Sequence, residues 1–160
     1  MSVWRHVRAI GLLPFMVAVV IPGLVVWRRD AALATWPLTL VGGVLILLGL
    51  ALVAWTVALF ATVGRGTLAP WDPTSRLVVV GPYRYVRNPM ISGVLSVLLG
   101  EAALFASEPL LIWFAAVFAV NAVYFPLVEE PGLRRRFGDE YDAYTANVPR
   151  WLPRLRPWEP

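Results

Sequence analysis

The chain has 160 residues, of which 59% are hydrophobic and only 15% charged, with a mean hydropathy of +0.68. A soluble domain averages about a quarter charged residues, so this balance points to a single integral membrane domain over residues 1–160. All 14 basic residues are arginine, but they lie between apolar segments and not along one face, which argues against nucleic acid. Cysteine is absent and His6 is the only histidine, which excludes disulfides, thiolate nucleophiles and Cys- or His-rich metal centres.

Four apolar stretches follow one another. Ala9 to Trp27 is uncharged and long enough to span a bilayer, and it is read as retained because Arg28, Arg29 and Asp30 precede the only cleavage-like "ALA". A second span fits between about Trp36 and Val63, so residues 1–63 are expected to hold two N-terminal helices. The third runs from Pro89 to about Ser107, interrupted by Glu101, and the fourth from Pro109 to Val128. The expected fold is an all-α membrane bundle of about four spans with a C-terminal interfacial helix.

Arginine placement orients the bundle. With a cytoplasmic N-terminus, the inside segments hold Arg5, Arg8, Arg65, Arg76, Arg84, Arg87, Arg134, Arg135, Arg136, Arg150, Arg154 and Arg156, leaving Arg28 and Arg29 outside. Trp27, Trp36, Trp71 and Trp151 fall near span ends, where interfacial aromatics gather. Both termini are therefore expected in the cytosol, at the cytoplasmic membrane.

The turn near Ser107, Glu108 and Pro109 makes the third and fourth spans antiparallel neighbours. Residues whose numbers sum to about 217 then share a level. Asn88 faces the level of Glu129, and Arg87 that of Glu130. Asn88 suits an N-cap and Pro89 a first helical position, so free N–H groups beside Arg87 would favour a carboxylate or phosphate. Glu129 and Glu130 are expected at the C-terminus of the fourth helix, where acids oppose the dipole by about 0.3–1 kcal/mol each and need a cationic or hydroxyl-rich partner. An anionic end, hydroxyls and a positive centre together describe S-adenosylmethionine. Nucleotide phosphates would be repelled by two glutamates, and the chain has no phosphate-binding glycine loop.

Other features read structurally. Glu101 lies about 18 Å along its helix from Pro89 and is expected to bond Ser96, or a Thr or Trp of a neighbouring helix. Asn121 is expected to bond between helices. Leu133, Phe137, Tyr141, Tyr144 and Val148 form a stripe over 133–148, either capping a pocket or anchoring at the interface. "VPRWLPRLRPW" cannot continue that helix and reads as an extended tail packed under the site. "GRGTLAPWDPTSRL" is a loop that places Trp71 and Asp72 at the pocket border.

The stretches "GPYRYVRNPMISG" and "EEPGLRRRFGDEYDAYTANVPRWLP" resemble the isoprenylcysteine carboxyl methyltransferase family, and "NPM" and "EEP" also resemble the related phospholipid methyltransferases. The likeness covers residues 64–157 and implies a methyltransferase core there, S-adenosylmethionine as cofactor and a lipid or hydrophobic methyl acceptor. By this resemblance Leu77, Val78 and Tyr83 line the cofactor. Arg87 and Pro89 match an Arg-His-Pro signature, Gly93 its following glycine, and Glu129, with Glu130 beside it, the cofactor-contacting glutamate. Asn88 stands where the carboxyl methyltransferases have His and matches the phospholipid enzymes. Phe125 is among the apolar residues where eukaryotic carboxyl methyltransferases carry a substrate-contacting Arg. The alternatives are a nicotinamide-dependent reductase of sterol-reductase type, with fewer paired acids, and a non-enzymatic bundle, with polar residues at the midplane.

Overall fold

The computed structural model describes residues 15–29, 31–64 and 76–159. The expectations for Arg5, His6, Arg8, Arg65, Trp71 and Asp72 lie outside the described residues, as does the start of the first span. Met16–Val20 forms a π turn that leads into α1, Ile21–Arg28. Helix α2 spans Trp36–Thr62 and α3 spans Pro89–Leu104. Helix α4, Glu108–Tyr124, continues through a π turn, Phe125–Glu129, into α5, Glu130–Phe137. Helix α6 covers Asp139–Asn147, and an extended tail follows to Glu159.

Proline sets several boundaries. Thr35 takes an extended conformation and Pro37 sits in the first turn of α2, where a missing N–H costs nothing. Pro89 opens α3 in the same way, and the Asn88 carbonyl accepts the first backbone bond, from Ser92 N–H at 3.0 Å. The Asn88 side chain makes no capping bond, so the sequence placed the helix start correctly but not its side-chain cap. Helix α3 stops at Phe105–Ser107, where Ala106 turns to φ 44°, and α4 restarts at once.

Trp36–Thr62 and Glu108–Phe137 are long and apolar enough to cross a membrane. Only 11% and 6% of their apolar windows are buried within the chain, so they are not core helices of a water-soluble domain. Leu47, Leu48, Ile112 and Val120 are each more than 60% exposed, and lipid is the solvent that tolerates this. Met16–Arg28 and Pro89–Leu104 are shorter apolar helices; α3, with 16 residues, is about 24 Å long. The expected all-helical membrane bundle is present; among the described residues two apolar helices reach spanning length and two shorter apolar helices accompany them.

Helices α2 and α3 pack antiparallel at backbone contact. A Cβ on Gly42 would lie 2.6 Å from the Gly100 carbonyl oxygen, and one on Gly49 2.6 Å from that of Gly93. The glycines recur seven residues apart on both helices, so two contacts stack along one seam. Ser96 Oγ donates to the Leu45 carbonyl across the same seam at 2.9 Å. That corrects the expected Glu101–Ser96 bond: Ser96 serves the interface, and Glu101 Oε2 is buried without a hydrogen-bond partner among the described residues. Asn121 is also corrected, because its side-chain amide donates to Val117 O of its own helix at 2.8 Å. The π turn that leads into α1 is tied to α4 by Trp113 Nε1, which donates to the Val17 carbonyl at 3.0 Å.

Candidate functional site

The antiparallel α3–α4 hairpin brings the two motifs to one end. Arg87 Nη1 donates to Glu130 Oε1 at 3.0 Å, the level the turn predicts. The helix does not end at the glutamates, however. Pro126 has no N–H to give to the preceding turn, and the chain responds with a π turn in which Glu130 N–H bonds Phe125 O. The helix then resumes to Phe137. Glu129 and Glu130 therefore do not sit against a helix C-terminal dipole, contrary to expectation: they line the site from a helix that continues through the wide turn. By length, the apolar part of this helix, 109–128, fills a bilayer core and Glu129 emerges from it.

Segment 133–148 is not one helix. Gly138 takes φ 53°, which an L side chain rarely adopts, and breaks α5 from α6. The break folds α6 back, so that Tyr141, Tyr144 and Val148 form a buried cluster against Leu77, Val79, Leu133, Phe137 and Trp158. Tyr144 Oη donates to the Tyr83 carbonyl at 2.8 Å, and Phe60 of α2 meets the Tyr83 ring edge-on at 5.6 Å. The stripe therefore covers the site and packs there as protein core.

The tail locks the other side. Arg87 N–H bonds Pro149 O, Arg154 N–H bonds Tyr85 O and Trp158 N–H bonds Arg84 O. Arg150 grips Glu130 with two bonds, at 2.7 and 2.9 Å. Burial alone would raise the Glu130 pKa, but the Arg150 hydrogen bond and the charges of Arg87, Arg150 and Arg134 bring it below the ordinary value. Glu129 has no such partner among the described residues. Burial, with the Glu130 charge adding, pushes it up to about 7. Adjacent carboxylates thus have opposite roles: Glu130 is tied into structure, and Glu129 is available.

Between these elements lies a cavity of about 100 Å³. Of the residues the sequence singled out, Leu77, Val78, Tyr83, Arg87, Asn88, Glu129 and Glu130 line it. Pro89 and Gly93 do not: Pro89 is fully buried at the start of α3, and Gly93 meets Gly49 across the α2–α3 seam. Phe60, Phe125, Leu133, Phe137, Tyr141 and Tyr144 complete the wall. The sequence stripe had marked Leu133, Phe137, Tyr141 and Tyr144 without deciding that they face the pocket. Phe60 and the Arg150 clamp gave no local signal. Arg87 Nε and Asn88 Nδ2 are both buried and without hydrogen-bond partners among the described residues. Buried orphan donors are costly, about 1–3 kcal/mol each, and here two of them border a cavity that also presents a carboxylate without a partner.

The described residues form a helical membrane bundle with a polar cavity at one end, roofed by a folded-back helix. The family model for "Phospholipid methyltransferase" matches residues 38–140, from α2 into α6. The chain belongs to the phospholipid methyltransferase family, a group of membrane methyltransferases, and this favours a methyltransferase over the reductase or a non-enzymatic bundle. No curated protein and no solved structure matches the chain.

Proposed function

We propose that the chain is an S-adenosylmethionine-dependent methyltransferase that modifies a lipid-like or hydrophobic acceptor from the cytosolic side of the cytoplasmic membrane. The observation that carries this reading is the pairing of orphan donors, Arg87 Nε and Asn88 Nδ2, with the partnerless Glu129 carboxylate in one aromatic-walled cavity. This donor set suits the cofactor: Arg87 and Asn88 would hold an amino-acid carboxylate, and Glu129 would accept from ribose hydroxyls or an ammonium group. Leu77, Val78 and Tyr83 would line it, with Glu130 fixing the Arg87 guanidinium. Pro89 and Gly93 would act through the position of α3. Bound there, S-adenosylmethionine supplies an electrophilic methyl group on a sulfonium.

The chain's own contribution is alignment and dryness. Tyr83, Phe125, Phe137, Tyr141 and Tyr144 exclude water and offer ring faces to a positive charge. Holding an acceptor in line accounts for much of the acceleration such a transfer needs. The cavity holds only part of such a cofactor in this closed form, since ligand pockets are about 300–1,000 Å³. Binding the whole cofactor would require this cavity to widen, and the break at Gly138, where the space around a Cβ is open, is the point at which α6 could move.

Incubating the protein with methyl-labelled S-adenosylmethionine and total membrane lipid tests the activity: label in an extractable lipid is expected, and label in none contradicts it. A second expectation concerns pH. Glu129 binds a cationic or hydroxyl group best when ionised, and its folded pKa of about 7 lies above the ordinary 4.5. Affinity for S-adenosylhomocysteine should fall by about tenfold per pH unit below 7 and level off above 8. Titration calorimetry from pH 5.5 to 8.5 checks this, and Glu129→Gln should flatten the profile.

A further inference from the structure

We propose that Trp151–Arg156 is a re-entrant element that seats in the membrane surface and binds the headgroups of anionic phospholipids through Arg154 and Arg156. The depth of the tail points to this. The Trp151 ring packs on Phe118 at 5.3 Å and on Phe125 at 5.8 Å. Phe118 lies about ten residues, or about 15 Å, inside the apolar stretch that ends at Val128. Phe125 lies about three residues, or about 5 Å, inside the same stretch, so the Trp151 ring, packed on both, lies below the boundary of the hydrocarbon layer and brings the tail residues beside it to that boundary, next to the spanning helix.

The neighbouring side chains fit that depth. Leu152 is 80% exposed and Leu155 is 100% exposed, so protein covers little of the first and none of the second. In water such a pair would be a liability, whereas at the boundary of the acyl chains it contributes binding. The backbone is adapted as well. Pro153 and Pro157 have no N–H, and the N–H groups of Arg154 and Trp158 are bonded to Tyr85 O and Arg84 O. Fewer bare donors then face a layer that holds little water.

The charges supply the selectivity. Between Val148 and Pro157 there are three arginines and no acid. Arg150 is committed to Glu130. Arg154 has no side-chain partner within the described residues, and its Nη1 is buried unbonded. Arg156 is exposed. Two guanidinium groups beside inserted leucines stand where lipid phosphates lie, and anionic headgroups concentrate there. Bidentate guanidinium–phosphate geometry favours the phosphate over other acceptors at that height.

The chain has no cysteine, so Leu155→Cys takes a single bimane label at a fully exposed position. The labelled full chain is reconstituted in phosphatidylcholine bilayers with and without phosphatidylglycerol. The expected result is quenching by a lipid nitroxide placed high on the acyl chain and poor quenching by aqueous acrylamide, a neutral quencher, when phosphatidylglycerol is present. Acrylamide access should rise by about twofold in phosphatidylcholine alone or in Arg154→Gln/Arg156→Gln. Strong acrylamide quenching without nitroxide quenching overturns the insertion. Identical quenching in the two lipids overturns the headgroup selectivity. Restoration of shielding by inorganic phosphate in phosphatidylcholine would show a free anion as the ligand and overturn the surface assignment. If the double variant elutes differently from the parent, the exposed Arg156→Gln replaces it, and the two-lipid comparison on intact arginines decides.

Discussion

Gly49→Leu is expected to prevent assembly of the α2–α3 pair, with a large loss of stability. A Cβ at this position would already lie 2.6 Å from the Gly93 carbonyl oxygen and 2.8 Å from Val97 Cγ2. Backbone cannot move aside as a side-chain tip can, so the helices must separate and the Gly42–Gly100 contact opens with them. Overpacking of this kind costs about 3 kcal/mol or more. It also removes the close approach on which helix association in lipid depends. Gly43→Leu is the matched control, since a Cβ there meets nothing within 4 Å. Thermal unfolding and size-exclusion profiles of the two variants in detergent should differ sharply, and equal behaviour would contradict the seam.

Glu130→Ala should also have a large effect. Its carboxylate holds Arg87 of the α3 entry and Arg150 of the tail together, and all three side chains are less than one-third exposed. Removal leaves two cations facing each other without a counter-charge, a loss of about 2–3 kcal/mol after allowance for partial solvation. The tail bonds to Arg87, Tyr85 and Arg84 then lose their electrostatic lock. Trypsin should cut after Arg150 or Arg154 faster in the variant than in the parent, and the unfolding midpoint should fall. Glu130→Gln retains acceptor capacity for one arginine and should fall between the two. A variant with parental midpoint and proteolysis would show that the clamp contributes nothing.

The sequence made the hairpin end legible because short turns fix antiparallel levels: the Arg87–Glu130 contact follows from residue arithmetic alone. The π turn was not legible as such. The uncharged run stops at Val128, and a helix end at Glu129 and Glu130 is what the charge pattern alone suggests; Pro126 precedes the pair and Pro131 follows it. Pro126 instead widens one turn and the helix continues, and the Leu133–Phe137 face beyond it packs against Tyr141, Tyr144 and Val148. Gly138 likewise looked like one residue of an amphipathic helix, and its positive φ decides that α6 folds back over the pocket. The glycine seam was present as 42/49 and 93/100, but a seven-residue spacing on two separate helices carries meaning only once their register is known. Glu101 and Asn121 were read from their chemistry alone, and local geometry gave their expected bonds to other groups.

The central claim is that the Arg87–Asn88 corner and the free Glu129 form one cofactor site at the end of the hairpin. Titration calorimetry of S-adenosylhomocysteine into detergent-solubilised protein measures it most directly, with parent and Glu129→Ala compared at pH 8. Micromolar binding in the parent, with a loss of about a hundredfold or more in a variant that unfolds at the parental temperature, is the predicted result. No heat with that ligand but heat with NADPH, or equal binding by both proteins, would contradict it.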